Sequence, residues 1–147
     1  MNRIERIMNQ PDSKLLHADL TEQIIRCFYD VYNELGFGFF ESVYHESLII
    51  ALRQSDLAVE SRVKIPVFFR GMEVGLFEAD LFVERRVVLE LKAVDSLANA
   101  HESQLLNYLK ATDLEVGLLL NFGPKPAFKR FYFDNARKRL RPQIVEC

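Results

Sequence analysis

At 147 residues the chain has the length of one domain with one core, and leaves no room for a second independent one. Its 49% hydrophobic and 27% charged residues, with twelve Phe and no Trp, exclude a disordered or fibrous chain. A net charge of −2 argues against coating nucleic acid by bulk electrostatics, which needs a basic domain.

Residues 1–18 mix both charge signs without the apolar core of a secretory signal, so they read as a leader ahead of a cytoplasmic domain. No apolar run approaches the ~18 residues of a membrane span. Cys27 falls inside a helical pattern and Cys147 is the last residue, which gives neither a disulfide framework nor a metal-ligand spacing.

Over residues 19–35 the apolar Leu20, Ile24, Phe28, Val31 and Leu35 recur on one helix face, with Asp19 and Glu22 placed as a capping box. Gly36 and Gly38 break the chain, and a second helix is predicted over 40–54 through Tyr44, Ser47, Leu48 and Ala51. The period then changes. Val63, Ile65, Val67 and Phe69 alternate with their neighbours as a half-buried strand does, RGMEVG at 70–75 supplies a turn, and 76–83 and 87–94 are two further strands separated by Glu84, Arg85 and Arg86. A third helix is predicted over 95–112 on Leu97, Leu105 and Leu109, then strands over 115–121 and 128–133. The order is ααβββαββ, an α/β (α+β) arrangement in a single domain over 1–147, closed by a basic tail over 134–147. From Pro124 onward seven basic residues face two acidic ones. That end either holds phosphates or is a solvated terminal segment, and charge counting leaves both open.

The strand VVLELKAV carries the chemistry. Glu90 and Lys92 interrupt an apolar run and, two residues apart, project from one face. Burying such charges unpaired costs several kcal/mol, so they pair or line a cleft. A loop of Glu84, Arg85 and Arg86 pairs Val83 with Val87 and, stepping outward, Asp80 with Glu90, whose Cβ atoms then lie about 4.5 to 5.5 Å apart. A two-residue loop would set Asp80 opposite Leu91 instead, on the wrong face. Two carboxylates with all-oxygen ligation and open positions suit Mg²⁺ or Mn²⁺ rather than Zn²⁺. Lys92 beside such an ion can orient an attacking water and neutralise a phosphate, as metal-assisted phosphodiester hydrolysis requires. An ExK on a strand also occurs as an ordinary surface salt bridge.

Asp followed ten residues later by Glu-x-Lys on adjacent strands resembles the PD-(D/E)XK nuclease superfamily, here EAD at 78–80 and ELK at 90–92, with Ala79 where the name has proline. GFFESVY, through Gly38, Glu41 and Tyr44, resembles the GxxExxY family within it. The resemblance spans 19–122 and implies a restriction-endonuclease-like core, a central mixed β-sheet flanked by helices. It implies Asp80 and Glu90 as metal ligands, Glu41 as the third, directly or through water, and Lys92 as the fourth catalytic residue. It also implies Mg²⁺, with Mn²⁺ as the alternative ion, and a DNA or RNA substrate that Tyr44 helps to bind. From the residues alone, Glu41 is equally a first-turn acid on a helix dipole and Tyr44 a core aromatic. QLLNY places Gln104 and Tyr108 four apart, with His101 three before the Gln; this resembles the QxxxY element of recombination-type exonucleases and implies that Gln104 orders water or phosphate and Tyr108 contacts the nucleic-acid backbone. The competing expectation is a nuclease-fold module without turnover that binds nucleic acid or a protein partner. Exposed candidates such as Phe37, Phe39 and FKRFYF also allow a homodimer.

Overall fold

The structure, a computed structural model, describes residues 16–139, so most of the leader and residues 140–147 of the basic tail lie outside the described residues. Helix α1 (Ala18–Leu35) buries Leu20, Ile24, Phe28 and Val31 of the predicted stripe together with Cys27, and leaves Leu35 half-buried. Its start differs from expectation. His17 takes the N-cap position with a left-handed φ of 57° and makes no side-chain cap, while Glu22 pairs with Arg26 at 3.0 Å. The helix begins one residue early, so Asp19 sits within the first turn, near the positive end of the dipole, and no capping box forms. Gly36, at φ 69°, ends α1 with its N–H on Tyr32 O, and α2 (Glu41–Gln54) follows.

Strands β1 (Val59–Phe69) and β2 (Met72–Val83) form a long antiparallel hairpin. Arg70 and Gly71 both have positive φ, the conformation of a tight two-residue hairpin loop, so Met72 to Gly75 are strand and the predicted six-residue turn is shortened. Pro66 lies in β1, an edge strand, where its missing N–H is tolerated. Strand β3 (Val87–Lys92) pairs antiparallel with β2, and β4 (Val116–Phe122) pairs parallel with β3 after the crossover helix α3 (Asn99–Ala111). Strand β5 (Pro126–Tyr132) closes the far edge antiparallel to β4, giving the spatial order β1-β2-β3-β4-β5. The predicted ααβββαββ order is observed, as a mixed sheet with helices on both faces.

One core joins α1 and α2 to Leu81, Val83, Leu89, Leu91, Leu118 and Leu120, and a second joins α3 to Phe82, Val88 and Leu119. Alternation along each strand assigns the two faces. Gly117 lets α3 approach closely, since a Cβ there would lie 3.0 Å from a Leu105 methyl and 3.1 Å from Val88. Two boundaries differ from the sequence expectation for identifiable reasons. Strand β3 ends at Lys92 because both polar groups of the Val94 backbone are taken by the Asn121 side chain. Helix α3 starts at Asn99 because His101 Nδ1 accepts the Ala98 N–H and closes its first turn. Among the described residues no helix is long and apolar enough to cross a membrane.

Candidate active site

The site grows from the β2–β3 turn. Glu84 and Arg85 have positive φ and Arg86 N donates to Val83 O at 3.0 Å, which pairs Val83 with Val87, Phe82 with Val88 and Leu81 with Leu89. This is the three-residue loop that sets Asp80 beside Glu90. The paired ladder stops at Leu81–Leu89, and there the Leu91 N–H is taken by Asp80 Oδ2 at 2.7 Å. The carboxylate of Asp80 thus stands in for a ladder acceptor and is held rigidly where the two strands part. Beyond it the β1–β2 hairpin continues as a two-stranded ribbon with Phe69, Met72, Val74 and Leu76 exposed.

Glu90 is 3% exposed, and its Oε2 is buried without a hydrogen-bond partner among the described residues. Burial, then the adjoining Asp80 carboxyl, push the Glu90 pKa up to about 9, with Lys92 acting in the opposite direction. At neutral pH, with no cation bound, Glu90 therefore carries a proton. Lys92, two residues on and half-buried, shares its face and makes no ion pair within the described residues.

Glu41 stands at the first position of α2. Partial burial raises its pKa, Lys92 opposes that rise, Asp80 adds to it and His101 opposes it, so all three charges lie near enough to act on the Glu41 carboxyl. Among the described residues, however, no three His, Cys, Asp or Glu side chains are gathered closely enough to hold a metal ion together. Of the expected ligands Glu41, Asp80 and Glu90, the last two adjoin one another, and Glu41 is near enough for the Asp80 charge to act on it. The pair itself fits a hard divalent cation: its donors are all carboxyl oxygens, and one of them, Glu90 Oε2, is buried with nothing to bond.

The aromatic candidates sit deeper than a substrate contact requires. Tyr44 is fully buried, stacks on Phe122 at 4.5 Å, donates its hydroxyl to Gly36 O at 2.6 Å and accepts the Phe39 N–H at 3.3 Å. It ties down the glycine loop that leads into Glu41. Tyr108 is 2% exposed and donates to Glu78 O at 3.0 Å; burial, and then the Glu90 charge, raise its pKa. Its hydroxyl lies against Glu90, with Gln104 adjoining it one helical turn earlier. Of this pair only Gln104 is partly exposed.

Asn121 is a residue that the sequence reading passes over. It is 2% exposed, sits opposite Lys92 in the parallel register, and clamps Val94 by accepting its N–H at 3.0 Å and donating to its O at 2.9 Å. Gly123 follows because a Cβ there would lie 2.1 Å from Val94 O. A single polar residue in the apolar run VGLLLNF, two before a glycine, was the available signal.

A five-stranded mixed sheet in this order, with a carboxyl pair and a lysine where its central strands part, defines a restriction-endonuclease-like α+β domain. The chain belongs to the PD-(D/E)XK nuclease superfamily, whose family model matches residues 18–131. A solved structure described as "Crystal structure of SSO0001" shares the fold at a TM-score of 0.53 and 22% identity, covering 84% of this chain. This chain spans 63% of that one. No curated protein matches the sequence.

Proposed function

We propose that this chain is a divalent-metal-dependent nuclease of the GxxExxY branch, hydrolysing phosphodiester bonds of DNA or RNA. The observation that carries the reading is the buried, partnerless Oε2 of Glu90 beside the Asp80 carboxyl, on the face that presents Lys92. Mg²⁺, or Mn²⁺, bound there would supply Lewis-acid charge at the scissile phosphate and a more acidic water. Asp80 and Glu90 would hold it, with Glu41 contributing directly or through water.

The chain's own groups have distinct tasks. Asp80 needs no reorganisation, because the Leu91 N–H already fixes one of its oxygens. Glu90 must release the proton that burial keeps on it, so ligand strength increases with pH. Lys92 orients the attacking water and offsets phosphate charge. Tyr108, with its hydroxyl committed to Glu78 O, is a positioning residue beneath Glu90 in place of the backbone contact expected from sequence. Gln104 stays the candidate for ordering water or phosphate. Tyr44 acts through the loop that places Glu41.

Cleavage of mixed DNA and RNA substrates in Mg²⁺ and in Mn²⁺ by wild type, Asp80→Asn and Lys92→Met tests this reading. Both variants should keep the wild-type circular dichroism spectrum and lose about 100-fold or more in rate, the usual loss when a transition-state charge contact is removed. Undiminished cleavage by Asp80→Asn, with contaminating nuclease excluded, overturns it.

A further inference from the structure

We infer that the groove between α3 and the edge strand β5 is a lane for single-stranded nucleic acid, with the Phe133 ring as a base platform and Lys110 and Arg137 as phosphate contacts. The inference rests on the nuclease reading for its purpose but not for its geometry. Period two along β5 puts Lys129, Phe131 and Phe133 on one side, facing α3, and Phe133 stays in line because its N–H donates to Glu115 O at 2.8 Å. Cations alternate with these rings. Lys129 Nζ lies 5.6 Å from the Phe131 centroid, Lys110 Nζ 5.9 Å from that of Phe133, and Arg137 5.0 Å from Phe133 on the same terms.

At the far end the groove opens into a cavity of about 320 Å³ lined by Lys110, Phe133, Arg137, Lys138 and Arg139. That volume is at the lower end of the ~300 to 1,000 Å³ typical of ligand pockets. Lys138 is not free for a ligand. Its ammonium donates to Thr112 O and Leu114 O at 2.8 Å each and to Asn135 Oδ1, which pins the short 3-10 turn Asn135–Arg137 and so sets Arg137 against the ring. Lys110, Arg137 and Arg139, by contrast, form no ion pair among the described residues.

At the near end Lys129 pairs with Glu102 at 2.7 Å, and the residue before Glu102, His101, joins Lys92 and Asp80 among the charges that act on Glu41. From Glu102 to Lys110 the helix advances about 12 Å, at ~1.5 Å per residue, along the groove. Rings flanked by cations in a narrow track favour a single strand, whose bases offer π-faces without sequence preference. A duplex would need a broader basic face than a chain of net charge −2 provides.

Fluorescence anisotropy of labelled dT and rU dodecamers with the full chain in EDTA, over a series of salt concentrations, tests the lane without requiring turnover. Lys110→Ala/Arg137→Ala should bind about tenfold or more weakly, and its log–log salt slope should fall by about 1.4, from ~0.7 per phosphate contact on a single strand. Phe133→Leu, which keeps an apolar side chain but removes the π-face, should weaken binding about fivefold or more with the slope unchanged. Thermal melting verifies that each variant folds. No binding by wild type, binding by the folded variants at wild-type affinity and slope, or equal competition by polyglutamate each overturn the lane. Weakened variants alongside a wild type that cleaves nothing in Mg²⁺ keep the lane and sink the nuclease reading; active wild type with unchanged variant binding does the reverse.

Discussion

Replacing Glu90 by Gln should make the protein more stable, and the gain should grow with pH. The folded-state pKa of Glu90, about 9, lies above its ordinary value of 4.5, chiefly because the carboxyl is buried. Below pH 4.5 the group is protonated in both states and nothing is lost. As pH rises further the unfolded chain releases a proton that the folded chain keeps, so stability falls, and it levels off only above the folded pKa. At about 1.4 kcal/mol per pH unit, the penalty is at most about 3.5 kcal/mol at pH 7 and under about 1 kcal/mol at pH 5. Gln removes this penalty, and its amide can donate to the Asp80 carboxyl while Asp80 keeps the Leu91 N–H. Urea denaturation of wild type and Glu90→Gln between pH 5 and pH 8 reads the difference directly. A Gln variant that is less stable at pH 7, or a difference that stays flat across that range, refutes a buried protonated Glu90. Saturating Mg²⁺ should then raise the stability of wild type and leave Glu90→Gln nearly unmoved, since only the former binds the ion in its folded state.

Tyr44→Phe keeps the stack on Phe122 and removes the two hydroxyl bonds to the glycine loop, so it should cost about 1 kcal/mol and speed amide exchange at Phe39; unchanged protection there contradicts the clamp. Gly123→Ala forces a methyl to within 2.1 Å of Val94 O, a backbone atom, and should destabilise by more than about 3 kcal/mol as the Asn121 clamp is pushed apart. A denaturation midpoint equal to wild type would contradict that packing.

The site's framework was legible because it rests on periodicities. Alternation and a three-residue loop placed Asp80 beside Glu90, and the observed Val83–Val87 pairing bears out that register. What escaped depends on contacts between distant backbone atoms. The hydroxyls of Tyr44 and Tyr108 are claimed by Gly36 O, eight residues away across the glycine loop, and by Glu78 O, thirty residues away, and no spacing rule encodes either main-chain acceptor. Read as QxxxY and GxxExxY positions, both tyrosines look like substrate contacts; packed, they hold a loop and the floor under Glu90. Asn121 became interpretable only once the parallel β3–β4 pairing set it opposite Lys92. The short hairpin turn was hidden because Arg70, a non-glycine, adopts a positive φ beside Gly71. The absent capping box at Asp19 has a similar origin, since His17 fixes the start of α1 through its backbone and not its side chain.

The central claim is that Asp80 and Glu90 together hold a divalent cation that phosphodiester cleavage requires. Calorimetric titration of Mg²⁺ into wild type and folded Asp80→Asn, with DNA and RNA cleavage followed on the same samples, tests it most directly. The account predicts one bound ion and cleavage for wild type, and neither for the variant. Equal Mg²⁺ binding by both proteins, or metal-dependent cleavage that survives the loss of the Asp80 carboxylate, would contradict it.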